Sequence, residues 1–487
     1  TPSAEFNNMV SVWNAYQCLV TFTWSRAASL IYCGLRNGYG YRDTVQDIQG
    51  IIHIAPELAR EKLLFMLSAQ VTGGAGLPLV KFTHNAGHED TPDDDSYVKA
   101  TGHPSYRADD ALWLFPTVEK YIGETGDTAF LDEVVPYANA QEDTVYEHLK
   151  RAIEFSAKNL GIHGLPAGLH ADWNDCLRLG KDGETVFVAF QLFMALGILR
   201  DYAAEKDDSD YAGYCEKFRI KLSEALEKAW NGQWFVRGFI NSGADKGKVI
   251  GNKGDAEAEI WLNPQSWSVI SGFARDERGR QAMAAADKAL NTPYGLKLFD
   301  PPYDKCFFEG ALMPVFNLDV KENGGIFSQP QGWAILSSAL LGDGNKAFEY
   351  FMETSPAAMN AKAEIRVIEP YAHGQFTESR RSPYEGRSHV HWLTGTASTV
   401  MVGCVEGICG MRPVSEGIVI DPSIPAEWDG FKIEKTFRGR KLYITVENPN
   451  HSQSGVKEMY LNGKLITGNL IPEADLTDVN DIKVILI

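Results

Sequence analysis

Residues 56–70, PELAREKLLFMLSAQ, carry the pattern that decides the fold. Apolar side chains recur there at three- and four-residue spacing, at Leu58, Leu63, Leu64, Met66 and Leu67, and a proline stands at the start, where a helix tolerates it. Further stretches repeat this helical period: 142–159, 187–205, 211–230 and 395–410. The sequence therefore predicts a mainly α-helical structure for residues 1–410.

Long connections separate these helices and are rich in Gly, Pro, Asp and Asn: 72–107, 161–186, 240–264, 292–332 and 369–395. Loops of this length in a compact domain are usually functional. Helices joined alternately by short and long connections suggest an α/α toroid whose site lies at one mouth. An irregular helical domain is the alternative.

The sequence changes character after Met411. Short β-branched stretches follow one another, separated by Pro, Gly and Asn turns, at 417–421, 431–437, 441–448, 457–465 and 481–487. Asn462-Gly463 is a typical hairpin signal. Residues 411–487 are therefore predicted to form a small β domain that packs on the helical body.

The composition narrows the classes of function. The 487 residues are enough for more than one domain, and 11% of them are aromatic, which leaves aromatic side chains for a carbohydrate cleft. The net charge of −18, from 64 acidic and 46 basic residues, argues against binding to nucleic acid or to an anionic membrane surface. No uninterrupted run of about 18 apolar residues occurs, so the sequence predicts no transmembrane helix.

The seven cysteines favour a reducing compartment. Their number is odd, their spacing is irregular and no CxxC occurs, so we expect buried, reduced thiols in a cytoplasmic protein. The first residues, TPSAEF, are not typical of a signal peptide. No HExxH motif or other convincing metal-ligand pattern occurs, so neither a metal nor an organic cofactor is expected.

The segment 168–177, GLHADWNDCL, combines groups that suit a sugar site. The indole of Trp173 offers a flat apolar face to a pyranose ring. Asp172, Asn174 and Asp175 offer hydrogen bonds to hydroxyl groups, or a proton to a leaving oxygen. The alternative is a helix start capped by Asp172, with Trp173 in the core.

Two further segments could contribute charge to such a site. Arg36, Arg42 and Asp43 belong to a Gly-rich loop, which lets the backbone approach an anion or a sugar. The alternative is a turn with a surface ion pair. Glu322 belongs to the segment KENGG at 321–325, which could equally be a polar turn.

Two segments near the end of the helical region are also candidates. Gln375 lies in a loop, where its amide could contact a sugar. Thr394 and Gly395 precede an apolar helix, whose positive N-terminal end suits a phosphate. An ordinary threonine cap is the alternative.

Taken in order, seven segments resemble the inverting disaccharide phosphorylases of the cellobiose and chitobiose phosphorylase family. They are MVSVWNAYQ at 9–17, YRDTVQD at 41–47, DDALWL at 109–114, ADWND at 171–175, KENGGIF at 321–327, QGW at 331–333 and WLTGT at 392–396. One such motif would be weak, but seven in the family's order over nearly the whole chain are specific.

The resemblance implies an (α/α)6 barrel over residues 1–410, followed by a small C-terminal β-sandwich-like domain over 411–487. Members of the family also carry a large N-terminal β-sandwich and a helical linker, which are absent from this chain. Members are typically dimers, so a homodimer is expected for the full-length protein. The expected partners are a small carbohydrate substrate and inorganic phosphate, which serves as co-substrate.

The resemblance also implies a role for each candidate residue. Asp175 would be the general acid. The donor sugar would be lined by Arg42, Asp43, Trp173, Glu322 and Gln375, and phosphate would be held by Arg36, Thr394 and Gly395. The family usually has a phosphate-binding histidine at the position of Gln329, whose amide can donate a hydrogen bond to phosphate but supplies no charge.

The expected reaction is an inverting phosphorolysis. Asp175 would protonate the bridging oxygen of a β-glycoside while phosphate attacks the anomeric carbon from the opposite face, giving an α-sugar 1-phosphate and a shortened acceptor. An inverting hydrolase needs a second carboxylate to activate water. Phosphate is already anionic, so one acid suffices. An inverting (α/α)6 hydrolase and a non-catalytic sugar-binding domain are the alternatives.

Overall fold

The computed structural model describes residues 1–26, 38–305 and 308–487. The α-helices within these ranges are Ala4–Asn8, Asn14–Trp24, Tyr41–Gln49, Pro56–Leu67, Asp95–Thr101, Leu114–Thr125, Val145–Lys158, Val186–Glu205, Ser209–Glu227, Leu262–Ile270, Glu277–Leu290, Gln329–Leu340, Gly344–Thr354, Ala363–Arg366 and Thr396–Val402. Two π-helical segments, Met9–Trp13 and Gly403–Ile408, adjoin helices of this set.

The helices predicted from the apolar period are confirmed, with small changes of boundary. The stretch 56–70 becomes Pro56–Leu67, with the proline in the first turn. Residues 142–144 form a strand instead of a helical turn, because the helix Val145–Lys158 begins only after Thr144. The hydroxyl of Thr144 accepts a hydrogen bond from the Glu147 backbone N–H and so caps that helix.

Six helices of the described chain form a closed ring of neighbours. Each packs against the next, and the last packs against the first, in the order Tyr41–Gln49, Leu114–Thr125, Val186–Glu205, Leu262–Ile270, Gln329–Leu340 and Thr396–Val402. A second set packs against these ring helices: Asn14–Trp24, Pro56–Leu67, Val145–Lys158, Ser209–Glu227, Glu277–Leu290 and Gly344–Thr354. In the described residues, each helix of the ring thus has a helix of the second set packed against it.

The ring helix Val186–Glu205 is long and apolar enough to cross a membrane by length and composition alone. However, 78% of its apolar window is buried inside the protein. It contacts two other ring helices and two helices of the second set, so its apolar residues are spread around its circumference. We therefore interpret it as a core helix.

The centre of the ring is filled by aromatic side chains. The indole of Trp113 lies edge-on to Trp267, with ring centroids 5.2 Å apart, and is stacked near Trp333 at 5.9 Å. Phe187 packs against both Trp267 and Trp333. Trp173 lies edge-on to Trp333 at 5.1 Å. The segment 168–177 is therefore joined to this aromatic centre through Trp173.

Short strands organise several of the long connections. The pairs are Gly38–Gly40 with Leu79–Lys81, Val134–Pro136 with Glu142–Thr144, and Ile260–Trp261 with Phe299–Asp300. One sheet joins Ala167–Leu169, Gly180–Thr185, Gly238–Phe239 and Val249–Ile250, and another joins Ile326–Phe327, Gly374–Thr377 and Ser388–His391. The long connections are therefore ordered platforms for the side chains that they carry.

Residues 411–487 form two sheets. The first joins Met411–Val414, Gly417–Ile420 and Leu470–Pro472. The second has the order Gly430–Phe437, Arg440–Glu447, Val479–Leu486, Val456–Leu461 and Lys464–Ile466. The predicted hairpin turn is confirmed, because Asn462 and Gly463 adopt φ values of 51° and 80° between the last two of these strands.

Aromatic contacts join the C-terminal sheets to the helical part. Trp428 lies edge-on to Phe348, with ring centroids 5.0 Å apart, and to Phe6 at 5.9 Å. Buried strand residues such as Ile444 and Val484 belong to the same apolar cluster. Among the described cysteines, Cys18, Cys176, Cys215, Cys404 and Cys409 are free, as expected for reduced thiols.

Candidate active site

The candidate residues meet where several ring helices begin. Arg42 lies in the first turn of Tyr41–Gln49, Gln329 is the first residue of Gln329–Leu340, and Gly395 precedes Thr396–Val402. Asp175 lies in the connection that leads into Val186–Glu205. Free N–H groups and the positive ends of helix dipoles therefore concentrate at one mouth, which favours anions in a protein of net charge −18.

A buried arginine orients the segment 168–177. Arg237 is completely buried, and its Nη2 donates to both carboxylate oxygens of Asp172, at 2.7 and 2.6 Å. The same Nη2 donates to Oδ1 of Asn174 at 3.0 Å, and the hydroxyl of Thr185 donates to Asp172 at 2.7 Å. Asp172 is therefore engaged in holding the segment together and is not available as an acid or a base.

Asp175 faces the opposite way, and 52% of its side chain is exposed. Nη2 of Arg42 donates to its Oδ1 at 2.8 Å. Nη2 of Arg107 lies 3.1 Å from the same oxygen. Two guanidinium groups therefore fix this carboxyl group at the mouth, where a substrate can reach it.

Arg42 is itself held by a buried carboxylate. Its Nη1 donates to both oxygens of Asp109, at 2.9 and 3.1 Å, and the indole N–H of Trp113 donates to Asp109 at 2.9 Å. Asp110 next to it is buried without a hydrogen-bond partner in the described residues, and burial raises its pKa to about 7. The pair of acids at 109–110 thus supports Arg42 from beneath the mouth.

Glu322 lies close to Asp175. Its Oε2 accepts a hydrogen bond from the backbone N–H of Cys176 at 3.1 Å, and only 8% of the residue is exposed. Burial, followed by the charge of Asp175, raises the pKa of Glu322 to about 7. Glu322 therefore titrates near neutral pH, and it can donate or accept a hydrogen bond according to its protonation.

Trp173 is more deeply buried than a sugar-stacking platform would be. It is 8% exposed and lies edge-on to Phe327 and Trp333, with ring centroids 5.1 Å apart in both pairs. Most of its surface supports the aromatic centre, and only the exposed remainder is accessible to a ligand. Both the core position and a peripheral sugar contact are compatible with this placement.

Arg26 joins several polar side chains near Gln329. Its Nη2 and Nε donate to Asp47, at 2.7 and 3.0 Å, while its Nη1 donates to Oδ1 of Asp43 and to Oε1 of Gln329, both at 3.0 Å. The amide of Gln329 donates in turn to Gln46 at 2.5 Å. The guanidinium group of Arg26 thus lies beside the uncharged amide of Gln329, at the position where the family that this chain resembles usually has a histidine.

Gly395 is packed tightly against this guanidinium group. A β-carbon at residue 395 would lie 2.0 Å from Nη2 of Arg26, although the φ angle of −65° would suit any residue. The hydroxyl of Thr394 accepts from the backbone N–H of Thr396 at 3.2 Å and lies 2.9 Å from its hydroxyl. Thr394 therefore organises the turn before the helix, but it is not the threonine cap of the alternative interpretation, because the N-cap residue is Gly395 and no side chain caps this helix.

Gln375 and Arg36 are the two remaining candidate residues. Gln375 lies in the strand Gly374–Thr377. Its carbonyl oxygen accepts a hydrogen bond at 2.8 Å from the backbone N–H of Ser328, the residue before Gln329. Its side-chain Oε1 is buried without a hydrogen-bond partner in the described residues, so it can accept a bond from a ligand. Arg36 lies outside the described residues.

Sequence reasoning missed Arg26, Arg107 and Arg237. Each is a single arginine outside the segments that carry the resemblance, and each is recognised only by its carboxylate partner far along the chain. Arg107 stands two residues before the acids at 109–110, which was the one available signal. Among the described residues, no group of His, Cys, Asp and Glu side chains could hold a metal ion.

Comparisons with known proteins identify relatives of most of the chain. A family model described as "Glycosyl hydrolase 94 superfamily, catalytic domain" matches residues 1–410. An N,N'-diacetylchitobiose phosphorylase of Vibrio proteolyticus is 38% identical over 502 residues, covering 100% of this chain and 62% of that protein. One of Vibrio furnissii is 36% identical over 481 residues, covering 96% and 59%. The chain thus spans about 60% of the length of these relatives.

Solved structures share the fold. A structure described as "Glycosidase Wild Type" superposes with a TM-score of 0.54 at 12% identity, covering 83% of this chain and 98% of that chain. At this identity the likeness concerns the fold alone. Together with the family model, it fits an (α/α)6-type glycosidase fold for the helical part, followed by C-terminal strands.

Proposed function

We propose, from the premise that the chain belongs to the glycosyl hydrolase 94 superfamily, that it is the catalytic part of a glycoside phosphorylase. The reaction is a reversible, inverting phosphorolysis of a β-linked disaccharide or short oligosaccharide, which yields an α-sugar 1-phosphate and an acceptor sugar. The observation that carries this proposal is the inequality of the two carboxylates, since Asp175 is exposed at the mouth while Asp172 is sealed by Arg237.

Asp175 is the proposed general acid. Its proton passes to the bridging glycosidic oxygen as the bond from that oxygen to the anomeric carbon breaks, and the acceptor sugar leaves with a hydroxyl group. The carboxylate that remains is stabilised by Arg42 at 2.8 Å. An exposed carboxyl group held by a buried arginine meets the geometric requirement for a proton donor.

Phosphate is the proposed nucleophile. One of its oxygens forms the new bond to the anomeric carbon on the face opposite to the leaving group, so the configuration inverts. We place phosphate at the turn of Thr394 and Gly395, with Arg36 and Gln329 as further ligands. The converging helix ends and the guanidinium group of Arg26 beside Gly395 support this position, because both offset the charge of a dianion.

The donor sugar is proposed to lie between these two groups, in contact with Arg42, Asp43, Trp173, Glu322 and Gln375. Two observations support hydrogen bonding to sugar hydroxyl groups. The carboxyl group of Glu322 titrates near neutral pH, and the side-chain oxygen of Gln375 has no partner in the described residues. Sugar hydroxyl groups can both donate to and accept from such groups.

The identity of the sugars is a further proposal. Because the similar proteins are named for N,N'-diacetylchitobiose, we propose a disaccharide of that kind as the first candidate, with cellobiose as the second. We also propose that the helix ring and its outer partners form an (α/α)6 barrel, that residues 411–487 are a β-sandwich-like domain, and that the full-length protein is a cytoplasmic homodimer.

The deciding experiment incubates the protein with β-linked disaccharides, with and without inorganic phosphate. Sugar 1-phosphate that forms only with phosphate is the expected result. Free monosaccharides in equal amount under both conditions would instead establish a hydrolase. Sugar binding without any product would show that this chain does not catalyse the reaction and would overturn the proposal.

A further inference from the structure

We infer that the protein has a second ligand site, at the end of the helix ring opposite to the proposed active site, and that this site binds a small organic cation with an apolar body. The site is a cavity inside the ring, where the carboxyl group of Glu119 receives the cationic group. Its lining residues differ from those assigned to the proposed active site, and its occupancy requires no catalysis.

The cavity lies where several ring helices end. Its walls include the last residues of three of them, Gln49, Ile270 and Leu340. The candidate active site lies where ring helices begin, so the two sites are at opposite ends of the ring. The C-terminal end of a helix carries a partial negative charge and favours cations.

The cavity consists of two adjoining chambers. The outer chamber has a volume of about 500 Å³ and the inner chamber about 270 Å³. Glu119, Arg275 and Glu406 line both chambers and mark the place where they meet. A cavity of about 150 Å³ can hold benzene. The inner chamber therefore has room for an aromatic ring that carries a short charged arm.

The inner chamber is lined mainly by apolar side chains. Three indole rings of the aromatic centre, those of Trp113, Trp267 and Trp333, belong to its wall, together with Met194 and Leu336. Such side chains favour an apolar group, and tryptophan rings also attract a cation. The inner chamber therefore suits the apolar body of the ligand.

Glu119 lies at the junction of the two chambers. Its carboxyl group is deep inside the protein, yet its side chain is accessible because it faces the cavity. It has no hydrogen bond or ion pair among the described residues. Burial raises the pKa of Glu119 to about 7 against the charges of Lys120 and Arg275, while Glu406 and Asp201 add to the rise. An enclosed carboxylate without a partner is stabilised by a cationic ligand.

The basic side chains of the cavity wall are engaged by other groups. Three of them form the ion pairs Lys120–Glu406, Lys435–Glu124 at 2.5 Å and Arg412–Asp421 at 2.8 Å. Arg275 donates to the carbonyl oxygens of Val269 and Ile270, at 3.2 and 3.3 Å, and so compensates the end of their helix. Within the described part of the chain, none of these four bases forms an ion pair with Glu119, so a ligand can supply that cation.

The outer chamber adds negative charge along the way to Glu119. Asp201, Glu205 and Glu416 line it. Burial, followed by the charges of Glu416 and Asp201, raises the pKa of Glu205, so these acids act on one another. His53 in the same wall adds no charge, because burial lowers its pKa to about 4. An entrance lined by one sign of charge attracts ligands of the opposite sign, which favours a cation over an anion.

Isothermal titration calorimetry with benzylamine tests the site, because its ammonium group and its ring match the two parts of the cavity. At about pH 8, where Glu119 is ionised, we expect one molecule to bind to each chain. Benzyl alcohol has nearly the same shape without the charge and should bind at least about tenfold more weakly. Equal affinities for the two compounds, or no saturable binding of benzylamine, would overturn the inference.

Glu119→Gln removes the charge and keeps the shape of the side chain. The affinity for benzylamine should fall at least about tenfold, whereas the affinity for benzyl alcohol should stay the same. Glu224→Gln is the matched control, because Glu224 is an exposed acid of the helix Ser209–Glu227 outside both chambers. A benzylamine affinity that is unchanged in Glu119→Gln, or that falls equally in Glu224→Gln, would contradict the role of Glu119.

A third variant tests whether the ring of the ligand enters the inner chamber. Leu336→Phe reduces the space there, so the affinities for benzylamine and benzyl alcohol should both fall at least about tenfold. Leu58→Phe, at a leucine that is 44% exposed, should change neither affinity. Circular dichroism checks that both variants fold. Wild-type affinity in a folded Leu336→Phe protein would place the bound molecule elsewhere and overturn the inference.

Discussion

Nη2 of Arg237 lies 2.6 Å from one carboxylate oxygen of Asp172 and 2.7 Å from the other, and neither side chain is more than 1% exposed. This ion pair draws Asp172 and Asn174 inward, while Asp175 faces the mouth. It therefore decides which of two acids, three residues apart, is available for chemistry.

Replacing Arg237 should destabilise the protein strongly. Arg237→Met leaves the Asp172 carboxylate buried without its cation, so we expect the free energy of unfolding to fall by about 3–5 kcal/mol. Urea unfolding measures this loss. Arg278→Met is the matched control, because Arg278 pairs with Glu227 at the surface and should change stability by less than about 1 kcal/mol. Equal losses in the two variants would contradict the structural role given to Arg237.

Removing the acidic proton of Asp175 should abolish turnover without affecting the fold. Asp175→Asn can still accept from Arg42 but cannot donate a carboxylic proton, so kcat should fall by about 10²–10⁴-fold. Initial rates of sugar 1-phosphate formation, with circular dichroism as the check on folding, measure the effect. Asp182→Asn, at an exposed acid in the strand Gly180–Thr185, should keep full activity. A fully active Asp175→Asn protein would reject Asp175 as the general acid.

Adding one methyl group at residue 395 should impair the use of phosphate. In Gly395→Ala the new β-carbon meets Nη2 of Arg26 at 2.0 Å, so the guanidinium group or the turn must shift. We expect the KM for phosphate to rise by about tenfold or more, since a small displacement costs well-oriented contacts. Kinetics at varied phosphate concentration measure it.

Gly213→Ala provides the control for that variant. Residue 213 lies within the helix Ser209–Glu227, and nothing lies within 4 Å of a β-carbon there. Alanine is preferred to glycine in a helix by about 0.5–1 kcal/mol, so this protein should be slightly more stable and equally active. An unchanged KM for phosphate in Gly395→Ala would remove Gly395 from the proposed phosphate site.

Thr394→Ala should weaken the use of phosphate more than the use of sugar. The hydroxyl group organises the turn before the helix Thr396–Val402 and, in the proposal, donates to phosphate. Loss of a hydrogen bond to a charged group costs about 1.5–3 kcal/mol, so the KM for phosphate should rise at least about tenfold. The KM for the disaccharide, measured in the same experiment, should stay near the wild-type value. A rise in both constants would indicate general damage to the mouth.

The buried carboxyl group of Glu322 should make stability depend on pH. Its pKa is raised to about 7 from an ordinary value near 4.5, so the folded protein holds a proton that the unfolded chain releases between these two values. Stability should therefore fall across this window as pH rises, with a slope of up to about 1.4 kcal/mol per pH unit from this group.

Glu322→Gln should remove that contribution. The difference in unfolding free energy between Glu322→Gln and wild type should shift in favour of the variant from pH 4.5 to 7 and become constant above it. Urea unfolding at a series of pH values measures the difference. A difference that does not vary with pH would mean that Glu322 titrates normally in the folded protein.

Much of the fold could be read from periodicity. The helix at 56–67 and the ring helix at 186–205 follow from their apolar patterns, and the hairpin at Asn462-Gly463 follows from its turn residues. The strand Leu470–Pro472 was missed, because three residues are too few to show an alternation. Short strands in the long connections, such as Gly374–Thr377, were missed for the same reason.

The sequence by itself determined the type of protein, because the order of the motifs and the helical period can be read directly from the order of the residues. The local pattern left Asp172 and Asp175 equivalent, and only the resemblance to the phosphorylase family named Asp175 as the acid. The tertiary structure supplied the physical reason for the difference, since Arg237 comes from 65 residues away to neutralise Asp172. It also brought Arg26 to Gln329 and Arg107 to Asp175, because polar contacts between distant residues depend on how the chain folds and leave no local pattern.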